Sequence, residues 1–298
     1  MAPSEDPSYY RRRVRSELRK ARDAAGLTQR QAVDALDWSL SKLVRIEAGT
    51  VGVSTTDLKA LLGLYKVTDE STVAALVAMA KSSKREPWYS QYAGRLPPEF
   101  AHYLGYEESA SVIRTFQPLA VAGLLQTADY ARAIFQAHDA ERPEERVTVR
   151  LARQELLNRD NCPDMCFIFD EAALRRHVGG PDVMRRQLHH LLSAMSHPKV
   201  SVRVVPFDAG AYPAMRGSFT ILEFADWDQD VLYLETARGS VTTREDHDRI
   251  LRYREKFDLL RAMSLDERET GDFVASLIDR IGRGDGTVGQ DGATRETG

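Results

Sequence analysis

A short segment of the chain, Gly26 to Gly49, carries hydrogen-bond donors at spacings typical of helix faces. A helix that begins at Ser39 would expose one set of side chains together: Leu40, Ser41, Lys42 and Arg45. Guanidinium, ammonium and hydroxyl groups donate hydrogen bonds to phosphate oxygens and to base edges. At the start of the preceding helix, Gln29 lies where backbone amides and a side-chain amide can reach a phosphate oxygen. These residue types therefore favour contact with a nucleic acid.

A second candidate for chemistry is the pair of carboxylates Asp170 and Glu171, which ends the segment MCFIFD and precedes Arg175 and Arg176. Paired carboxylates suit general acid and base catalysis. The competing interpretation is a strand that turns into a helix, whose first turn favours acidic residues because of the helix dipole. No general acid, nucleophile or metal set completes a site, so we favour the helix start and predict no catalytic residues.

The histidines and cysteines do not have the spacing of a metal site. His189, His190 and His197 lie on or after a polar helix face without carboxylate or cysteine companions. Cys162 and Cys166 have no second Cys or His pair at ligand spacing, so we interpret them as reduced thiols, with zinc as the alternative. We predict no metal and no cofactor.

Charge divides unevenly along the 298 residues, whose net charge is −3. Residues 1–66 hold twelve Lys and Arg against eight Asp and Glu, so this part is +4 and the remainder is −7. Basic charge is thus concentrated where a polyanion would be met. Within it, we expect Arg11, Arg12 and Arg13 to contact phosphates, and Arg19 and Arg22 to lie on the solvated face of the first helix.

Hydrophobic content of 43% is ordinary for a globular protein. No stretch approaches the roughly 18 apolar residues of a membrane span, and the start of the chain lacks the apolar centre of a secretory signal. We expect a cytoplasmic protein without membrane contact.

The first eighty residues show the caps and periodicity of about five helices. The first helix ends near Gly26, the second begins after Thr28, and the third begins at Ser39 and ends before Gly49. A fourth fits 54–65 and a fifth fits 71–81. Asp37 stands in the turn between the second and third helices, and Asp tolerates a positive φ at modest cost.

The segment GLTQRQAVDALDWSLSKLVRIEAG resembles the helix-turn-helix core of Xre-type regulators and phage repressors. The resemblance implies binding to double-stranded DNA, with base contacts from Leu40, Ser41 and Arg45. It places Gln29, Arg30 and Lys42 nearer the backbone, and Ser39 at the start of the recognition helix. Where this family often has Gly in the turn, this chain has Asp37. Leu40 stands where a polar base reader is frequent, so it would instead touch a thymine methyl group.

The rest of the chain predicts an α+β or α/β domain with about four short strands, MCFIFD, VSVRVVPF, GSFTILEF and VLYLE, among several helices. One of these helices is predicted around 107–116. The predicted organisation is multidomain: 1–80 all-α, 81–87 linker, 88–282 second domain and 283–298 disordered tail. Six aromatic residues near its start favour a small core over a ligand pocket, namely Trp88, Tyr89, Tyr92, Phe100, Tyr103 and Tyr106. The segment VAGLLQT around Gly123 lacks the ending of a phosphate loop, so we interpret it as a turn.

From Trp88 onward the chain is similar to the C-terminal domain of WhiJ-like actinobacterial regulators, in YLGYEESASVIRTFQPLAVAGLLQTADYARA, RLARQELL, FIFDEAALRRHVGG and VRVVPFDAGAYPAMRGSFTILEF. The resemblance implies a transcriptional regulator paired with a small protein encoded by the adjacent gene. It supplies no mechanism for the domain.

The leading hypothesis is a homodimeric regulator that binds an inverted-repeat operator and receives a signal through its second domain. The signal is either the small partner protein or a small-molecule effector. The alternatives are an antitoxin-like member of a two-gene pair and an enzyme with a DNA-tethering domain.

Overall fold

The computed structural model describes residues 7–48, 51–92, 94, 96–137, 142–215, 217–224, 230–236, 239–243 and 246–283. The chain forms an all-helical N-terminal region followed by a mixed α/β region. Both parts of the predicted fold class are therefore confirmed. Gly49 and the predicted disordered tail, apart from Arg283, lie outside the described residues.

Five helices build the N-terminal region: α1 Pro7–Ala24, α2 Gln29–Leu36, α3 Leu40–Ala48, α4 Thr55–Leu64 and α5 Glu70–Ser82. The sequence defines their starts through side-chain caps. Thr28 accepts a hydrogen bond from the backbone of Gln31, whose own side chain caps Thr28 in return. Ser54 caps α4 by accepting a hydrogen bond from the Asp57 amide, and Asp69 caps α5 by accepting one from the Thr72 amide. Their apolar faces share one core, which includes Val14, Leu18, Leu43, Leu58, Leu61 and Leu76.

The turn between α2 and α3 passes through Asp37, which has φ 56° and ψ 45°. This is the left-handed region that the sequence predicted for the position. The Trp38 amide donates to the Val33 carbonyl, 2.9 Å away, and closes the end of α2. The tight turn places the start of α3 directly after α2.

The mixed region contains one six-stranded sheet with the order β3-β2-β1-β4-β5-β6. The strands are β1 Val112–Gln117, β2 Asp164–Asp170, β3 Val200–Val205, β4 Phe219–Glu223, β5 Val231–Thr236 and β6 Gly239–Thr243. β1, β2 and β3 are parallel, whereas β4, β5 and β6 continue the sheet in antiparallel pairs. The four predicted strands are β2 to β5. The helix predicted around 107–116 is wrong, since the second half of that segment, from Val112, is the central strand β1.

Helices cover both faces of the sheet. They are α6 Pro98–Glu107, α7 Ala128–Ala137, α8 Pro143–Gln154, α9 Glu171–Arg175, α10 Pro181–Ala194, α11 His247–Met263 and α12 Glu267–Arg283. Alternate residues of β2 divide between the two faces: Phe167 and Phe169 join the core that contains residues of α6, α7, α10 and α12, and Ile168 joins the core beneath α11. None of the helices in the described residues combines the length and apolar composition needed to cross a lipid bilayer.

The two regions touch where α1 meets α6. Arg12 on α1 donates a hydrogen bond to the Gly105 carbonyl on α6, and its guanidinium lies 5.0 Å from the ring centre of Tyr106. The same guanidinium lies 5.3 Å from the ring centre of Phe224, which follows β4. Arg12 of the helical region is therefore held by the mixed region.

Candidate nucleic-acid interface and a cavity in the mixed region

Helix α3 has one face in the core and one face in solvent. Leu43 is 1% exposed and Ile46 is buried beside it, so these side chains fix α3 against the other helices. The opposite face presents Ser41 and Arg45, together with Leu40 and Val44 at 39% and 41% exposure. The structure thus brings three of the predicted base readers, Leu40, Ser41 and Arg45, to one surface.

Val44 also belongs to this surface, although it was not among the predicted base readers. It follows Leu40 by one helical turn, so the i, i+4 relation was the signal that could have found it. Two exposed apolar side chains one turn apart suit contact with thymine methyl groups.

Ser39 and Arg45 are oriented by the helix itself. The Ser39 hydroxyl accepts a hydrogen bond from the Lys42 amide at 3.3 Å, as expected for the residue before a helix. The Arg45 Nε donates to the Ser41 carbonyl at 3.3 Å. Arg30 on α2 remains highly exposed beside Asp34, with 3.4 Å between Nε and Oδ1.

Lys42 is drawn toward the protein. Its ammonium lies 2.7 Å from an oxygen of Asp57 on α4 and 3.6 Å from the ring centre of Trp38. Burial alone would raise the pKa of Asp57, but the hydrogen bonds from Lys42 and Ser54 hold it below its ordinary value. Lys42 therefore links α3 to α4, at the side of the surface that Leu40 and Arg45 form.

A buried polar network ties the end of α3 to α1 and α2. The Arg22 guanidinium contacts both oxygens of Glu47, at 2.7 and 3.2 Å. The Gln29 side-chain amide donates to Glu47 at 2.7 Å. The hydrogen bond to Glu47 raises the pKa of Arg22 above its ordinary value. Glu47 thus orders the end of α3.

The expectation that Arg22 lies on a solvated face is wrong, because the residue is only 9% exposed. Its partner Glu47 follows it by many residues, and only the tertiary fold brings the pair together. Arg11, Arg12 and Arg13, which were expected to contact phosphates, also have partners within the folded chain. Arg12 is held by the mixed region, Arg11 donates to the Ser83 carbonyl at 2.8 Å, and Arg13 lies 3.4 Å from Glu17.

The carboxylates Asp170 and Glu171 stabilise the backbone after β2. Asp170 accepts a hydrogen bond from the Ala172 amide at 2.7 Å and so caps α9. Glu171 pairs with Arg175 and accepts a hydrogen bond from the Phe207 amide at 2.8 Å. This is the helix start that the sequence favoured.

Cys162 and Cys166 are free thiols. The described residues contain no group of three or more His, Cys, Asp or Glu side chains arranged to hold a metal ion.

A cavity of about 1050 Å³ opens at the carboxyl ends of β1 and β2. Thr115, Phe167, Thr220 and Tyr233 from four neighbouring strands contribute to its lining on the sheet side. Helix α6 contributes Phe100 and Tyr103, and the turn through Gly123 contributes backbone. Of the six aromatic residues considered in the sequence, only these two line it, whereas Trp88, Tyr89 and Tyr106 pack against the core.

Four arginines and one glutamate are among the described residues that line the cavity: Arg146, Arg150, Arg153, Arg176 and Glu235. Arg153 is neutralised by Glu107, to which it donates two hydrogen bonds, and it also donates a hydrogen bond to the Tyr103 hydroxyl at 3.1 Å. Glu235 accepts a hydrogen bond from Ser218 at 3.0 Å. The cavity therefore combines aromatic walls with an excess of positive charge.

Comparison with protein families divides the chain at the same place as the fold does. A family model described as "Helix-turn-helix domain" matches residues 13–76. The family described as "Domain of unknown function (DUF5753)" matches residues 100–276, more than half of the chain. The chain belongs to the DUF5753 family. A helix-turn-helix domain followed by a DUF5753 domain is an Xre-like regulator architecture. Neither a curated protein nor a solved structure matches the chain.

Proposed function

We propose that this protein is a sequence-specific DNA-binding transcriptional regulator that uses α3 as its recognition helix. The observation that supports this most strongly is the exposed face of α3 within a helix-turn-helix domain, with Leu40, Ser41, Val44 and Arg45 together and Leu43 and Ile46 buried behind them. A helix held in this way can enter the major groove, where every base pair has a distinct pattern of donors and acceptors.

The side chains of the surface divide by chemistry. Arg45 suits a guanine edge, Ser41 accepts or donates a single hydrogen bond, and Leu40 suits a thymine methyl group. Gln29, Arg30, Ser39 and Lys42 would stay nearer the phosphates. Because Gln29 and Lys42 are already bound to Glu47 and Asp57, their contribution to DNA contact would be mainly to orient α3.

We further propose that the regulator is a homodimer that binds an inverted repeat in the cytoplasm. One short helix contacts too few base pairs to select a site in a genome, and two-fold symmetry doubles the contacts. The resemblance to Xre-type and WhiJ-like regulators supports this assignment. It also supports control through the DUF5753 domain, by a small partner protein or by an effector.

The chain after residue 66, which includes the DUF5753 domain, carries a net charge opposite in sign to that of residues 1–66. Outside residues 1–66 the chain has a net charge of −7, which disfavours contact with phosphates and suits a basic partner surface. In this proposal the helical region binds DNA, and the DUF5753 region receives the signal.

Replacing Arg45 by alanine is expected to weaken binding to a specific site by about 1 to 3 kcal/mol, as for the loss of one bidentate base contact. The fold should be unchanged, since Arg45 is exposed. Fluorescence anisotropy with a selected DNA site and with random-sequence DNA, at one salt concentration, measures the effect.

Arg30→Ala is the matched control, because Arg30 is an exposed arginine on the neighbouring helix. It should weaken binding to both DNAs by the same factor. An equal loss on both DNAs for Arg45→Ala as well would show that Arg45 contacts phosphate alone, and would contradict its role as a base reader.

A further inference from the structure

The cavity lies where the two halves of the sheet meet. β1 is paired in parallel with β2 on one side and antiparallel with β4 on the other. Segments that follow the carboxyl ends of β1 and β2 line the cavity, 118–124 after β1 and 176–179 after β2. Crevices outside the carboxyl ends of parallel strands are preferred ligand sites in α/β sheets. A volume of about 1050 Å³ is at the upper end of the range for small-molecule pockets.

Arg150 is a partly buried arginine of the cavity, and the charges of Glu235 and Glu107 act on it only from a distance. Its Nη1 donates to the side-chain oxygen of Gln126 at 2.6 Å, and its guanidinium lies 5.0 Å from the ring centre of Phe135. Among the described residues no carboxylate forms an ion pair with it. A neutral amide uses one of the five N–H donors of a guanidinium and leaves its charge in place.

Burial lowers the pKa of Arg150 to about 10, and the positive charge of Arg153 acts in the same direction. The guanidinium is still protonated at neutral pH, so the protein maintains a cation in an unfavourable environment. An anion in the cavity would relieve this cost.

The surrounding residues position the Arg150 side chain. Gln126 donates in turn to the Val121 carbonyl at 2.7 Å, which fixes the amide that holds Arg150. Gly123 leaves room for the guanidinium, because a Cβ there would lie 2.6 Å from Arg150 Nη1. Arg153, three residues along α8, is by contrast fully engaged with Glu107 and Tyr103. Arg153 supports the structure, and Arg150 is available for a ligand.

We propose that the cavity binds a small organic anion with a flat apolar body, whose acidic group pairs with Arg150 and whose body lies against the aromatic walls. The walls are formed by Phe100, Phe135, Phe167, Phe219 and Tyr233. Arg146 and Arg176, both exposed at the lining, add attraction for the same charge.

Helix α6 connects this cavity with the DNA-binding region. Phe100 and Tyr103 line the cavity, and Gly105 and Tyr106 hold Arg12 of α1. An occupant that presses on α6 would therefore act on the contact between the two regions. The role of the anion as the regulatory signal rests on the proposed function as a DNA-binding regulator, whereas its binding to the cavity does not.

Two fluorescent probes test the site on the full-length protein without DNA. Anilinonaphthalene sulfonate is a flat aromatic anion, and N-phenylnaphthylamine has the same rings without the sulfonate. We expect Arg150→Met to weaken binding of the sulfonate about tenfold, the scale of one charged hydrogen bond, and to leave binding of the neutral amine unchanged. Arg150→Met should fold, because replacing a partly buried charge by an apolar side chain of similar length removes a desolvation cost. Circular dichroism checks this.

Arg150→Lys, which keeps the charge, should lose less sulfonate affinity than Arg150→Met. Arg252→Met removes an exposed arginine of α11, outside the cavity lining, and should leave both affinities unchanged. The proposal is overturned if the wild-type protein does not bind the sulfonate, if Arg150→Met binds it as the wild type does, or if both probes weaken equally. Because DNA is absent, none of these outcomes depends on whether the protein recognises an operator.

Discussion

Replacing Glu47 by alanine is expected to lower the free energy of unfolding by about 3 to 5 kcal/mol, the scale for removing one partner of a buried ion pair. The Glu47 side chain is 5% exposed and accepts hydrogen bonds from Arg22 and Gln29. Its removal leaves the Arg22 guanidinium with the exposed carboxylate of Asp23, 2.9 Å from Nη1, as its remaining anion, and frees the end of α3. Urea denaturation followed by circular dichroism measures the loss.

Asp34→Ala is the matched control for Glu47→Ala. Asp34 is a carboxylate on α2 that pairs with Arg30, but its side chain is exposed. Exposed ion pairs stabilise by at most about 1 kcal/mol, so this variant should unfold close to the wild type. If Glu47→Ala lowered the free energy of unfolding as little as Asp34→Ala does, the hydrogen bonds of Glu47 to Arg22 and Gln29 would not be what holds the end of α3. Water would then have to hydrate the Arg22 guanidinium in the variant.

Scrambling one half of the inverted repeat is expected to reduce operator affinity about 10³-fold. Each mismatched base pair costs about 1 to 3 kcal/mol, so several mismatches in one half-site sum to about 4 kcal/mol or more. Inserting about five base pairs between the half-sites should have a comparable effect, because it turns them to opposite faces of the duplex. Titration of the three DNAs at fixed salt gives the comparison.

This prediction depends on the homodimer. A monomeric mass at micromolar protein concentration, together with equal affinity for the intact and the half-scrambled site, would contradict it. Sedimentation of the free protein and of its DNA complex gives both masses.

The N-terminal region was predictable because its signals are local. Thr28 and Gln31 mark the start of α2, Ser54 marks the start of α4, and helical spacing separates the buried from the exposed residues of α3. Asp37 in the turn was also predictable, since Asp tolerates a positive φ. Each of these features is determined by residues within a few positions of one another.

The central strand β1 was missed because its partners are distant in the sequence. Thr115 pairs with Phe167 on one side and with Thr220 on the other. A strand buried between two others has no simple alternation of apolar and polar residues, and Val112 to Phe116 also fits helical periodicity. The edge strand β6 is short and rich in Gly, Ser and Thr, so its pattern resembled a loop.

The candidate sites also differ in whether residues close in the sequence or distant ones determine them. The exposed surface of α3 follows from one helix and could be predicted almost completely. The roles of Arg22, Arg12 and Arg150 could not, because Glu47, Gly105 and Gln126 reach them only in the folded chain. The cavity likewise combines segments from 96 to 235 that no local pattern connects.

Selection of binding sites from a random DNA library, with the full-length protein, shows whether α3 is a recognition helix. We expect enrichment of one inverted repeat whose half-site centres lie about 10 base pairs apart, near 34 Å. We also expect that a variant carrying Leu40→Ala, Ser41→Ala and Arg45→Ala together enriches no such sequence while keeping the wild-type circular dichroism spectrum. If the wild-type protein enriches no sequence, or if the triple variant enriches the same one, α3 is not a recognition helix and the proposed function is wrong.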